Sequence, residues 1–200
     1  MKQIFLIGAL VTALVGCAST QIFDYYRLQA TASVTDHKVD MRVGVAPVAL
    51  TGWFDSGVLS WSDGYRVHRS ENNRWGADIQ QQIEHVLSVN LGRQLAGSQV
   101  TVGPWLGGNR PDRVVFVEIE DVAFVDGSVE MRLFWRIENR LRETFFRRGE
   151  STVAAEVAAG RPKEEQLVQG ISAVLARLSE QVVVQLLQLE TKKQEPFLAP

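Results

Sequence analysis

Residues 113–137, RVVFVEIEDVAFVDGSVEMRLFWRI, carry the pattern that decides the fold. Val115, Val117 and Ile119 fall on one side of an extended chain, with Val114, Phe116, Glu118 and Glu120 on the other, the two-residue period of a strand. Asp126-Gly127 supplies a two-residue hairpin turn. The return strand puts Val129, Met131, Leu133, Trp135 and Ile137 on one face and Glu130, Arg132, Arg136 and Glu138 on the other, the signature of a half-buried antiparallel strand. A third segment from Arg142 to about Ala154, with Thr144, Phe145, Phe146 and Val153, pairs back through a tight turn at Asn139-Arg140. The three make a meander.

The hydrophobic period changes on either side of this sheet. Ile79, Ile83, Val86, Leu87, Leu91 and Leu95 recur at three and four residues, opposite Gln80, Gln81, Glu84 and Asn90, so an amphipathic helix is expected from about Gly76 to Gly97. A second opens at Gly160-Arg161-Pro162, with Glu164 and Glu165 placed against the helix dipole. Its core stripe is Leu167, Ile171, Val174, Leu175, Leu178, Val182 and Leu186. Further upstream, Phe23, Tyr25, Tyr26 and Leu28 form a short aromatic strand, residues 30–40 read as a loop, and Val43-Gly44-Val45-Ala46-Pro47-Val48 is a buried strand that Pro47 cuts short. Residues 51–75 are the least regular, with a short strand expected at Tyr65–Ser70; Val100 and Val102 give another that stops at Pro104. Two amphipathic helices can cover one face of a single sheet. The expected fold is a single α+β domain, a mixed or antiparallel sheet with both helices packed on one face.

Composition agrees with one globular domain: 46% hydrophobic and 22% charged residues fit neither a disordered chain nor a bundle of membrane helices. The formal charge of −2 offers nothing to attract nucleic acid. The N-terminus differs from the rest. Lys2 precedes the apolar run Ile4–Val11, small residues follow, and the run is shorter than the ~20 residues of a spanning helix, the layout of a secretory signal. It ends at Leu14-Val15-Gly16-Cys17, which resembles a bacterial lipobox: Gly16 offers a small side chain at the cut, and Cys17, the one cysteine of the chain, takes a diacylglyceryl group and then an N-acyl chain. Two acyl chains suffice for stable anchoring. Ala18 stands where an aspartate would resemble an inner-membrane retention signal, so the expected location is the periplasmic face of the outer membrane. The domains follow as signal peptide 1–16, anchor and short linker 17–22, α+β domain 23–190, and a polar C-terminal tail 191–200.

Catalytic chemistry is not in evidence. His37, His68 and His85 lack ligand spacing, the serines lie outside any nucleophile elbow, and Gly103–Gly108 does not match a phosphate loop. Glu118, Glu120 and Asp121 with Arg132 and Arg136 read as cross-strand ion pairs on a solvated face. The expectation is a protein that is not an enzyme and holds no metal or cofactor beyond the acyl chains of Cys17. Candidate partner-binding residues are the aromatics Trp53, Trp61 and Tyr65, together with Phe134, conspicuous among the charges of its strand.

The order of these features resembles the ABC-type transport auxiliary lipoproteins of the PqiC (paraquat-inducible protein C) type. A lipobox is followed by Tyr25-Tyr26-x-Leu28, then Val43-x-Val45-x-Pro47-Val48, then Asn73-Arg74-Trp75 before an amphipathic helix. Arg27 departs from the small polar residue common in that motif, and residues 52–70 hold more tryptophan than the family pattern. The resemblance implies a non-enzymatic outer-membrane lipoprotein that docks an MCE-domain protein bridging the periplasm, in a lipid transport system, with self-assembly into rings as a further implication. The alternatives are a lipoprotein regulator of a cell-wall synthase and a periplasmic lipid-binding chaperone.

Overall fold

The computed structural model describes residues 21–194; the signal, Gly16, Cys17 and residues 195–200 lie outside that range. Among the described residues nine strands form one mixed sheet, and two long helices pack on one face of it. In chain order the elements are β1 (Asp24–Tyr26), β2 (Arg42–Val45), β3 (Ala49–Leu50), β4 (Val58–Ser62), β5 (Val67–Trp75), α1 (Ile79–Gln94), β6 (Gln99–Val102), β7 (Arg113–Val125), β8 (Ser128–Asn139), β9 (Thr144–Glu156) and α2 (Lys163–Gln194).

The sheet is organised around β7. One edge is laddered along its whole length to β8, from Arg113 opposite Asn139 to Val125 opposite Ser128, and β8 is laddered in turn to β9. Asp126 and Gly127 have φ of 48° and 76°, the left-handed pair that a tight hairpin turn needs. The other edge of β7 is lined in succession by three short parallel strands. Val43–Val45 of β2 lie opposite Arg113–Val115, Ala49 and Leu50 of β3 opposite Glu118 and Ile119, and Ser62 of β4 opposite Ala123. Outside β2 lies β6, parallel to it; outside β4 lie antiparallel β5 and then β1, parallel to β5. Because β7 and β4 run towards the Asp126-Gly127 turn, β5 and β1 run away from it. The chain therefore enters β1 from the hairpin end of the sheet.

The core lies between sheet and helices. Every residue of the two expected helical stripes is buried, against Val115, Val117 and Ile119 of β7, the alternating Val129–Ile137 face of β8, and Val153 and Ala155 of β9. Helix α1 starts one turn later than the sequence pattern suggests, capped by Asp78, whose Oδ1 accepts from Gln81 N at 2.8 Å. Helix α2 runs past Glu190 to Gln194. Within its Lys163–Thr191 portion, a stretch of 18 residues with a mean hydropathy of 1.3 is long and apolar enough to cross a membrane, but 67% of that stretch is buried within the domain. Its apolarity is used in the core.

Four features differ from the sequence expectation. Residues 51–75 hold two strands rather than one: Tyr65 lies in the turn between them and outside any strand, and β5 continues to Trp75. In β7 an extra residue at Glu120 shifts the register between Ile119 and Asp121, which returns Val122 to the core face. The polar side of α1 is not solvated throughout, since Glu84, Asn90 and Gln94 are buried. They hold irregular chain that has no ladder of its own. Ala32 N donates to Asn90 Oδ1 at 3.1 Å, Thr35 Oγ1 to the Gln94 carbonyl at 2.6 Å, and Val48 N, just after Pro47, to Glu84 Oε1 at 3.0 Å. Finally, Gln29 N donates to Ser172 Oγ of α2 at 3.2 Å, so the residue 27–40 segment straps both helices together.

Candidate partner-binding surface

The helices leave the opposite face of the sheet open. Part of it is covered locally: Trp105 lies over Gly44, where an added Cβ would come within 2.4 Å of its ring, and Val114, paired with Gly44, is buried. Nearer the hairpin end Arg132 pairs with Glu120 at 3.4 Å and with Glu150 at 3.5 Å, the cross-strand charge pairing expected of these residues. Between the two lies a groove of about 590 Å³.

The groove follows from strand register. Phe116 on β7 is opposite Arg136 on β8, and Glu118 is opposite Phe134, so all four project to the open face. Pro47 and Ala49 close one side, and Arg147 and Gly149 the other. The β8–β9 register slips between Leu133/Ser151 and Trp135/Arg148, so Gly149 and Glu150 both lie opposite Phe134; Arg147, opposite Arg136, shares the groove face, whereas Arg148 lies opposite the buried Trp135 on the helix side. The Arg136 guanidinium lies 4.0 Å from the Phe116 ring centroid and donates through Nε to Glu138 Oε1 at 2.9 Å. Glu138 Oε2 also accepts from Arg110 Nη2 at 2.8 Å, so Arg136 is fixed in place. Arg147 and Arg148 are exposed and make no ion pair among the described residues.

The four aromatic candidates are thus not one site. Phe134 is half-buried in the groove. Trp61 is in the core at 6% exposure, stacked on His68 at 5.4 Å and 13°, with Lys163 Nζ 4.8 Å from its ring centroid. Trp53 is half-buried and edge-on to the buried Phe54 at 5.8 Å. Tyr65, at 108%, stands free in the turn at the hairpin end. Asp63 of the same turn accepts at Oδ2 a hydrogen bond from Nε2 of His68 at the start of β5, which holds the Asp63 carboxyl below the usual carboxylate range against a smaller opposing effect of burial. Among the described residues no three His, Cys, Asp or Glu side chains are grouped to hold a metal ion. Arg147 escaped the sequence reading because its place beside Phe116 and Phe134 is set by the pairing of β9 with β8; Gly149 within a strand was the available signal of the neighbouring bulge.

The chain is a one-domain α+β module with its helices on one sheet face and a groove on the other. The family model of the ABC-type transport auxiliary lipoprotein component matches residues 26–183, and the chain belongs to that family. It is accordingly a lipoprotein auxiliary to transport systems, in a family not known for enzymes. A solved structure of an uncharacterized protein is 19% identical and superposes with a TM-score of 0.66 over 82% of this chain and 99% of its own. Protein XCC0632 from Xanthomonas campestris, of family DUF330, is 11% identical with a TM-score of 0.66 over 84% and 99%. At these identities both likenesses speak for the fold alone. No curated protein matches the chain by sequence.

Proposed function

We propose that this chain is an outer-membrane lipoprotein that docks an MCE-domain protein of a periplasm-spanning lipid transport system. In this reading residues 1–16 are removed as a signal peptide, Cys17 carries the acyl chains, and residues 17–22 tether the domain that begins at residue 23 at the periplasmic face. The protein acts without catalysis or cofactor. Membership of a transport auxiliary lipoprotein family supports it.

The observation that carries the docking reading is the polarity of the fold. Chain leading from the anchor reaches β1 at the hairpin end, which would face the membrane. The opposite end exposes Leu106 and Leu141, at 85% and 78%, on two loops tied by Arg140 Nη2 donating to the Gly108 carbonyl at 2.6 Å. Braced apolar side chains held away from the anchor suit a protein partner. Copies assembled in a ring would repeat that end around a tubular one.

The test is a pull-down of the acylated, tagged protein from detergent-solubilised envelope, with Cys17→Ala as the unanchored control. An MCE-domain protein in the eluate, lost with Leu106→Asp/Leu141→Asp, is the expected result. A cell-wall synthase in its place would refute the transport reading.

A further inference from the structure

The hairpin end of the sheet carries an aromatic side chain that the core does not use. Tyr65, at 108% exposure, stands on the β4–β5 turn, which is closed by Asp63 N donating to the Arg66 carbonyl at 3.1 Å. Val67 at the base of the turn lies opposite Ser62, and Ser62 opposite Ala123, so Val125 of β7 stands about level with Tyr65 and is itself 42% exposed. The chain leading into α2 adjoins the same surface: Val157 N donates to the Gly127 carbonyl at 3.0 Å, and Ala159 beyond it is exposed. Arg66 and Arg161 are interspersed here with Asp63 and Asp126, so the end has no strong charge of one sign.

What this surface meets follows from the length of the tether. Gln21 is tied to β5 by its Nε2 donating to Asn72 Oδ1 at 2.9 Å, and the Arg74 guanidinium lies 4.5 Å from the Phe23 ring centroid. Four residue steps separate Gln21 from Cys17, a reach of at most about 14 Å. From Asn72 back to Val67 is about 17 Å along β5. The two lengths nearly match, so acyl chains on Cys17 leave the domain no room to stand clear of the bilayer. A tyrosine suits that boundary, with an apolar ring and a hydroxyl that stays among the headgroups. A protein partner fits less well, because the acyl chains and their bilayer already take the space in front of this end.

We propose that the hairpin end is a membrane-contacting foot: Tyr65, with Val125 level with it, sits among the headgroups of the bilayer that holds the Cys17 acyl chains. The inference rests on the acylated Cys17 of the proposed function. A lipid anchor alone leaves the domain free to tilt. A second contact at the β4–β5 turn holds the sheet upright, with Leu106 and Leu141 turned away from the membrane, and makes Tyr65 a lipid contact rather than a contact for a protein partner.

The test uses the full-length acylated protein in vesicles of phosphatidylethanolamine and phosphatidylglycerol, doped with a phosphatidylcholine that carries a nitroxide on its headgroup. The fluorophore nitrobenzoxadiazole is placed on Ala159→Cys at the hairpin end, or on Asn109→Cys, which the 13 residues of β7 hold about 40 Å away at the other end. Acylation leaves Cys17 no thiol to compete for the label. Because aromatic residues at a membrane boundary sit at headgroup level, the Ala159→Cys label should be quenched roughly twofold or more and the Asn109→Cys label not at all. Tyr65→Glu should lose most of that quenching and Tyr65→Trp should keep it, both with the parent's unfolding curve since the side chain is fully exposed. Phosphatidylcholine in place of phosphatidylglycerol should give the same result.

An unquenched Ala159→Cys label on protein that floats with the vesicles overturns the proposal and leaves the anchor standing; if that label is also shielded from aqueous iodide, a second copy covers the hairpin end instead. Equal quenching at Asn109→Cys, the mark of a domain lying flat, overturns it too, as does full quenching in Tyr65→Glu. Protein whose Cys17 takes the label, and which stays off the vesicles, refutes the anchored reading and this proposal with it.

Discussion

Replacing Gly170 by alanine should destabilise the protein although Gly170 lies inside a helix, where the exchange ordinarily gains about 1 kcal/mol. The reason is the crossing of α2 over β8. A Cβ on residue 170 would lie 2.2 Å from Val129 Cγ2, 2.6 Å from Val129 Cβ and 3.0 Å from Val157 Cγ1. Carbon atoms pack at about 3.5–4.0 Å, so helix and strand must part by more than about 1 Å. Val129 is fully buried and branched at Cβ, hence unable to turn aside. Overpacking of this kind costs about 1–3 kcal/mol, and the severity of the contact points to the upper end. Set against the propensity gain, the net loss is about 2 kcal/mol, or a fall in Tm of about 4–8 °C for a chain of this size. Urea and thermal unfolding followed by circular dichroism measure both. Val129→Ala alone removes two methyl groups and should cost about 2 kcal/mol, but combined with Gly170→Ala it should cost less than the two separately, by about 1 kcal/mol or more. A neutral or stabilising Gly170→Ala, or strict additivity of the pair, would refute the close crossing.

Glu84→Ala strands the buried Val48 N–H and should cost about 1–3 kcal/mol, whereas Glu84→Gln keeps an acceptor and should cost less; urea unfolding separates the two. The Asp63 carboxyl, held down by His68, should titrate higher in His68→Ala when followed by carbon-detected NMR. Since its folded-state pKa is depressed, its contribution to stability is present above the ordinary aspartate value of about 3.9 and is lost as pH falls through the folded-state value, so Asp63→Asn and the parent should converge in acid. Trp61→Ala empties a core position and should cost about 3–5 kcal/mol, so any loss of partner capture must be judged against its unfolding curve. Trp53→Ala, at a half-buried position, should stay folded in the same assay.

What the sequence made legible was whatever a simple period carries. Both helix stripes, the 126–127 turn and the alternating face of β8 were readable because their burial repeats without interruption over many residues. Of strand β5, His-Arg-Ser-Glu-Asn-Asn-Arg in its interior, only the start as far as Ser70 was, because the rest owes its extension to lying between β4 and β1 rather than to its own side chains. Strand β4 hides differently: Ser60 and Ser62 are buried and break the apolar pattern. Glu84 and Asn90 looked solvated because the irregular chain they hold, at Val48 and in the strap, is distant in sequence and without period. At the groove, Phe134 was visible as an aromatic among charges, but Arg147 was not, since its place there is set by the pairing of two strands at once.

The succession of β2, β3 and β4 along one edge of β7 also sets an order of assembly. Before Arg113–Val125 exists, β2 with β6 and β4 with β5 and β1 are two separate pieces of sheet with no strand between them. A two-stranded ribbon such as β2–β6 is marginal in water by itself. The first half of the chain thus cannot close into a sheet while it is being made, and sheet formation waits for the strand that joins the pieces, a non-local and correspondingly slow event. The topology itself thus keeps the leading portion open until the trailing portion arrives, a delay that would serve the export required by the function proposed above.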